Sequence, residues 1–113
     1  MQEYHIEQTA FFAKQVKKLT KRYPKIGKDI DHFLDGIQNI DHLGIALGDN
    51  LYKTRIRNSS AQKGKSGGFR LFTLVNYNTK QIVLVYIYSK SDLGNITEQE
   101  LDEIINHTAS DYI

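Results

Sequence analysis

The 113 residues, 40% apolar and 25% charged with a formal net charge of +2, suffice for one domain with a single core and are too few for two. The lack of cysteine excludes disulfides and thiolate metal sites, and His5, His32, His42 and His107 stand without ligand spacing, so neither a metal nor a cofactor is expected. The longest apolar run, residues 82–88, is far short of the ~20 residues a membrane helix needs, and the first residues lack the basic start and apolar stretch of a secretory signal, which predicts a cytoplasmic protein that meets no membrane.

Tyr4, Ile6 and Gln8 alternate with His5 and Glu7, which predicts a first strand over residues 3–8. Thr9 then suits an N-cap. Behind it Phe12, Val16 and Leu19 recur at helical spacing while Lys14, Lys17, Lys18 and Lys21 fall elsewhere, predicting an amphipathic helix over residues 10–22 with a solvated basic face. Pro24 suits the first turn of a second helix, in which Ile26, Ile30, Phe33, Leu34 and Ile37 keep the spacing to about residue 38. The short joint between the two predicts an antiparallel helical hairpin. Residues 39–50, with Gly44 and Gly48, read as a loop that carries Leu43, Ile45 and Leu47 as packing plugs.

The charge is segregated along the chain. Residues 1–50 hold seven basic and seven acidic side chains, whereas residues 51–90 hold Lys53, Arg55, Arg57, Lys63, Lys65, Arg70, Lys80 and Lys90 and no acid at all. Residues 91–113 hold six acids and no Lys or Arg. A local field of one sign concentrates a polyanion, so the middle of the chain is suited to meeting phosphate. Within it Tyr52, Thr54 and Ile56 alternate with Lys53, Arg55 and Arg57, the pattern of a strand with a core face and a cationic stripe whose charges are ~7 Å apart. Residues 59–68 form a loop bearing Lys63, Lys65, Gly64, Gly67 and Gly68.

Residues 69–77 and 81–88 are two β-rich runs joined by a turn at 78–80, a hairpin. Val83 to Ile87 is continuously apolar, as a strand covered on both faces should be. Arg70, at the start of the other run, must reach solvent, an anion or an acid, because an isolated buried charge is too costly. Thr97 with Glu100 makes a capping box for a last helix, striped by Leu101, Ile104, Ile105 and Ala109 and acidic in its first turns.

Three blocks in this order carry a family resemblance: Gly44, Leu47-Gly48 and Leu51-Tyr52-Lys53-Thr54-Arg55; then Lys63-Gly64-Lys65-Ser66-Gly67-Gly68-Phe69-Arg70; then Ile87-Tyr88-Ser89-Lys90-Ser91-Asp92 with Asn95-Ile96. Over nearly the whole chain the sequence resembles the RelE/HigB-like toxins of bacterial type II toxin–antitoxin systems, in the RelE/ParE superfamily. The resemblance implies a single α+β domain over residues 1–113, with a small twisted antiparallel sheet, two N-terminal helices on one face, a C-terminal helix, and a basic concave face. It also implies a metal-independent mRNA endonuclease that works on the ribosome. A cognate antitoxin, of helix-turn-helix type, would neutralise it, and the pair would hold operator DNA through the antitoxin.

Cutting RNA without metal requires activation of the 2′-hydroxyl, stabilisation of a phosphorane-like state, and help for the departing 5′-oxygen. The positions matching the family's Lys, Arg and Tyr set are Lys53, Arg55, Arg70, Tyr88 and Lys90. The resemblance implies that Arg70 clamps the scissile phosphate, that Lys53 and Arg55 raise the local potential and one of them moves a proton, and that Lys90 or Tyr88 assists the leaving oxygen or stacks on a base. Arg57, Lys63 and Lys65 are expected to hold RNA backbone. Two alternatives stand beside this reading: a ParE-like toxin of the same fold directed at DNA gyrase, and an RNA-binding homologue that cuts nothing.

Overall fold

The computed structural model describes residues 3–60, 68–90 and 97–109. In chain order these are strand β1 (His5–Gln8), helix α1 (Ala10–Thr20), helix α2 (Ile26–Asp35), a 3₁₀ turn (Ile40–Leu43), strands β2 (Ile45–Gly48), β3 (Leu51–Ile56), β4 (Phe69–Asn76) and β5 (Gln81–Ser89), and helix α3 (Glu98–Ala109).

Local chemistry sets most boundaries. The Thr9 hydroxyl accepts from the Phe12 N–H at 3.0 Å and starts α1 where its sequence position predicts. Helix α2 has no such cap of its own. Pro24 precedes its N-cap residue Lys25, whose N–H donates instead to the Ser60 hydroxyl at 2.9 Å, 35 residues away. The helix ends before Gly36, short of the expected residue 38, and Ile37 turns inward to a satellite cluster with Leu43, Val75 and Ile82.

Residues 39–50, expected as a loop, contain the 3₁₀ turn and β2. Asp49 and Asn50 both adopt positive φ, 53° and 65°, and close a tight hairpin between β2 and β3. Gly44, at φ +99°, is required because any Cβ there would collide with the Lys53 carbonyl, where the chain turns in beside β3. The β4–β5 turn is held by the Asn76 Oδ1, which accepts from the N–H groups of Asn78 at 3.1 Å and Thr79 at 3.2 Å.

The sheet order is β1-β5-β4-β3-β2. Strands β2 to β5 are antiparallel, as expected; β1 pairs parallel with β5, from His5 opposite Gln81 to Gln8 opposite Leu84, so the sheet is mixed. No hairpin links β1 to its partner, so turn geometry does not dictate its direction. Helices α1 and α2 cover one face through Phe12, Tyr23, Ile26 and Ile30, packed on Ile56, Phe69, Leu71, Leu84 and Ile87. The other face gathers Leu51, Phe72, Leu74, Val83, Val85, Tyr86 and Tyr88, with Ile104 of α3 against them. Strands β4 and β5 are therefore covered on both sides, which accounts for the unbroken apolar run in β5.

Candidate functional site

The face that carries α3 also carries the cations, and one irregularity puts them together. Between Phe72 and Thr73 the β4–β5 register slips: Phe72 faces Tyr86 and Thr73 faces Leu84, leaving Val85 as an extra residue in β5. Without this bulge the alternation that turns Val83 and Val85 outward would send Tyr86 and Tyr88 to the helix face. With it, Val83, Val85, Tyr86 and Tyr88 share one cluster, and Tyr88 joins the side of the sheet that bears Arg70.

Two rows then cross the sheet. Arg55, Arg70 and Tyr88 lie directly opposite one another on β3, β4 and β5. One step along lie Lys53, Phe72 and Tyr86, extended by Ile45 on β2. Opposed residues on neighbouring strands stand ~4.5–5.5 Å apart and successive rows ~7 Å apart, so Arg70 has a guanidinium-bearing neighbour on one side and a phenol on the other. Lys90 follows the end of β5, is exposed, and donates its backbone N–H to the Gly68 carbonyl at 3.3 Å, two residues before Arg70 in the chain. Gly68, at φ +57°, passes so close to the Ile56 carbonyl that no Cβ fits, which draws β3 and β4 together at this end of the rows.

Lys53, Arg55, Arg70 and Tyr88 are thus brought to one face, but not equivalently. Lys53 is half-buried over the sheet, its Nζ 5.8 Å from the centroid of the Phe72 ring. The β2 pairing stops at Lys53, so among the described residues no strand pairs with β3 beyond it, and Arg55 contributes to the lining of a crevice beside α2. Arg57 comes after the end of β3, exposed on the same crevice. Tyr88 is only 6% exposed, its ring stacked on Phe72 at 6.2 Å and tilted against Tyr86 at 5.8 Å. The ring packs into the aromatic layer beneath the row. Lys63 and Lys65 lie outside the described residues.

Phe72, Tyr86 and Gln15 belong to this neighbourhood and escape a reading of charge alone. Phe72 is two residues from Arg70 and shares its face by simple alternation, a signal that was present. Tyr86 stacks on Phe11 of α1 at 6.0 Å. Its hydroxyl is held above the ordinary phenol pKa chiefly by burial, with Tyr88 and Glu100 adding to the effect and a hydrogen bond with Gln15 opposing it. Gln15 also accepts the Ile87 N–H at 3.1 Å, pairing the part of β5 that β1 does not reach. Helix α3 begins on the predicted cap: the Thr97 hydroxyl accepts from the Glu100 N–H at 3.1 Å and lies 2.9 Å from the Glu100 Oε1. Among the described residues, no cluster of His, Cys, Asp or Glu suits a metal ion, and no helix is long and apolar enough to cross a membrane.

The family model for the RelE toxin of the RelE/RelB toxin–antitoxin system matches residues 4–113. Among solved structures, the E. coli toxin RelE, an arginine-to-alanine double mutant in the free state, superposes with a TM-score of 0.55 at 15% identity, covering 98% of this chain and 99% of that one. At that identity the likeness speaks for the fold. No curated protein sequence matches the chain.

Proposed function

The chain belongs to the RelE toxin family, and from that premise we propose that it is a ribosome-dependent mRNA endonuclease that stops translation in the cytoplasm until a cognate antitoxin binds it. Family membership implies the antitoxin; a helix-turn-helix antitoxin that carries the pair onto operator DNA completes the proposal. The observation that supports cleavage most is the register that sets Arg55, Arg70 and Tyr88 side by side with Lys53 and Lys90 to either side.

In this reading the 2′-oxygen of the RNA attacks the adjacent phosphorus, its proton passes to a base, and the P–O bond to the 5′-oxygen breaks as that oxygen takes a proton. Arg70 grips the phosphoryl oxygens in a fork, which an ammonium cannot do. Arg55 adds positive charge beside it as the phosphorane gains negative charge. Lys53, in its neutral amine form, accepts that proton, a form that an ammonium reaches by losing a proton and a guanidinium effectively cannot. Lys90, exposed at the rim, supplies the proton to the leaving oxygen. Tyr88 and Phe72 fix the floor under Arg70, and Arg57, with Lys63 and Lys65, holds RNA backbone.

Replacing Arg70 by Ala should lower cleavage of ribosome-bound message by about 10²–10³-fold, the scale of losing one charge-stabilising donor. Expression of the wild type should arrest growth with messages cut within codons, whereas the folded variant should be harmless; circular dichroism checks the fold. Full toxicity of a folded Arg70→Ala variant would remove Arg70 from the site. DNA breaks with intact messages would point to a gyrase-directed toxin instead.

A further inference from the structure

The part of β3 beyond its pairing with β2 borders a crevice of about 260 Å³ lined by Asp29, His32 and Phe33 of α2 and by Arg55, Ile56 and Arg57. Its wall is tied in place. The Asp29 Oδ2 accepts the Ser59 N–H at 2.9 Å, and the Ser60 hydroxyl accepts the Lys25 N–H, so the chain leaving β3 is pinned to the start of α2. The crevice is a built recess between two elements, and it is smaller than the cavities that take drug-sized ligands.

Its chemistry is mixed in a specific way. Arg57 and His32 carry donors, the Asp29 carboxylate retains accepting lone pairs beyond the one that holds Ser59, and Phe33 adds a half-buried aromatic wall. A bare phosphate would be drawn by the cations and repelled by the carboxylate. A planar ring with both donors and acceptors on its edge suits all of them, and single-stranded RNA is read in this manner, with bases splayed into pockets. The crevice also adjoins the row described above, because Arg55, which faces Arg70 in the ladder, is among the residues that border the recess.

We propose that this crevice seats the base of a nucleotide flanking the scissile linkage and thereby sets the sequence context of cleavage. The inference rests on the RNA-cleaving reading for its biological meaning, and binding tests it separately.

The probes are labelled tetraribonucleotides, intact or with a single base removed, titrated onto the full chain by fluorescence anisotropy. Loss of one particular base should weaken wild-type binding by about tenfold, within the range for a stacked, hydrogen-bonded base. The same loss should cost less than about twofold in His32→Ala, which alters an exposed side chain, and in Asp29→Asn, which keeps an oxygen for the Ser59 N–H but places a donor beside it. Mapping of cleavage sites on messages should show Asp29→Asn changing the preferred base at one position. Equal losses in variants and wild type, or no position at which the base matters, would overturn the proposal. So would variants that bind the oligonucleotides normally yet lose a protein partner, since the crevice would then be a protein contact. A wild type that cuts nothing but still discriminates a single base would leave the crevice assigned and remove the endonuclease reading.

Discussion

Thr73 is fully buried beside the bulge and its hydroxyl has no hydrogen-bond partner among the described residues. Burying an unsatisfied hydroxyl costs about 1–3 kcal/mol, and replacement by an apolar group of the same shape removes that cost. Thr73→Val should therefore raise the urea midpoint by an equivalent of about 1 kcal/mol with an unchanged m-value. Tyr86 gives a pH signature. Its folded pKa lies above the ordinary 10.0, so its contribution to stability is complete below that value and is lost as pH climbs through the raised one. Tyr86→Phe should flatten the alkaline limb of a stability–pH curve and leave the neutral region's slope unchanged. At this scale the site was partly legible. Lys53 could be placed by alternation in a regular strand, and Arg70 by the cost of burying its charge. The enclosure of Tyr88 could not, because it depends on a bulge that an unbroken apolar run conceals.

The elements differ in how far they declare themselves. Helix α1 carries its own cap and stripe, and its start falls where Thr9 puts it. Strand β2 does not declare itself in the sequence, since Ile45 and Leu47 are exposed on a four-residue edge and leave no burial pattern; the hairpin pair Asp49-Asn50 is its one local sign. Strand β1 was expected, but its parallel direction was not, because no short-range signal encodes it. Helix α2 also leans on a residue far along the chain: the Ser60 hydroxyl accepts the N–H of its N-cap residue Lys25. Ser60→Ala should cost about 1 kcal/mol in thermal unfolding, the usual net worth of one hydrogen bond, and Ser60→Thr should restore most of it.

Across the whole molecule the charge is arranged in space much as along the sequence. The cationic rows lie across β3, β4 and β5, and the helix that packs against β5 bears Glu100, Asp102 and Glu103. On the proposed function, RNA held by this surface releases counterions, so the logarithm of the binding constant should fall linearly with the logarithm of salt concentration. Arg57→Ala should reduce the magnitude of that slope by about 0.7–1, the share of a single phosphate contact, whatever the RNA sequence. The parallel ladder between β1 and β5 joins residues 5–8 to residues 81–84, the opposite ends of the sheet's sequence. A nascent chain threading from the exit tunnel holds its first strand idle until the last has emerged, and β5 also supplies Tyr88, one end of the row with Arg55 and Arg70. On the proposed function, a half-made toxin is thus inert toward the very ribosome that is building it.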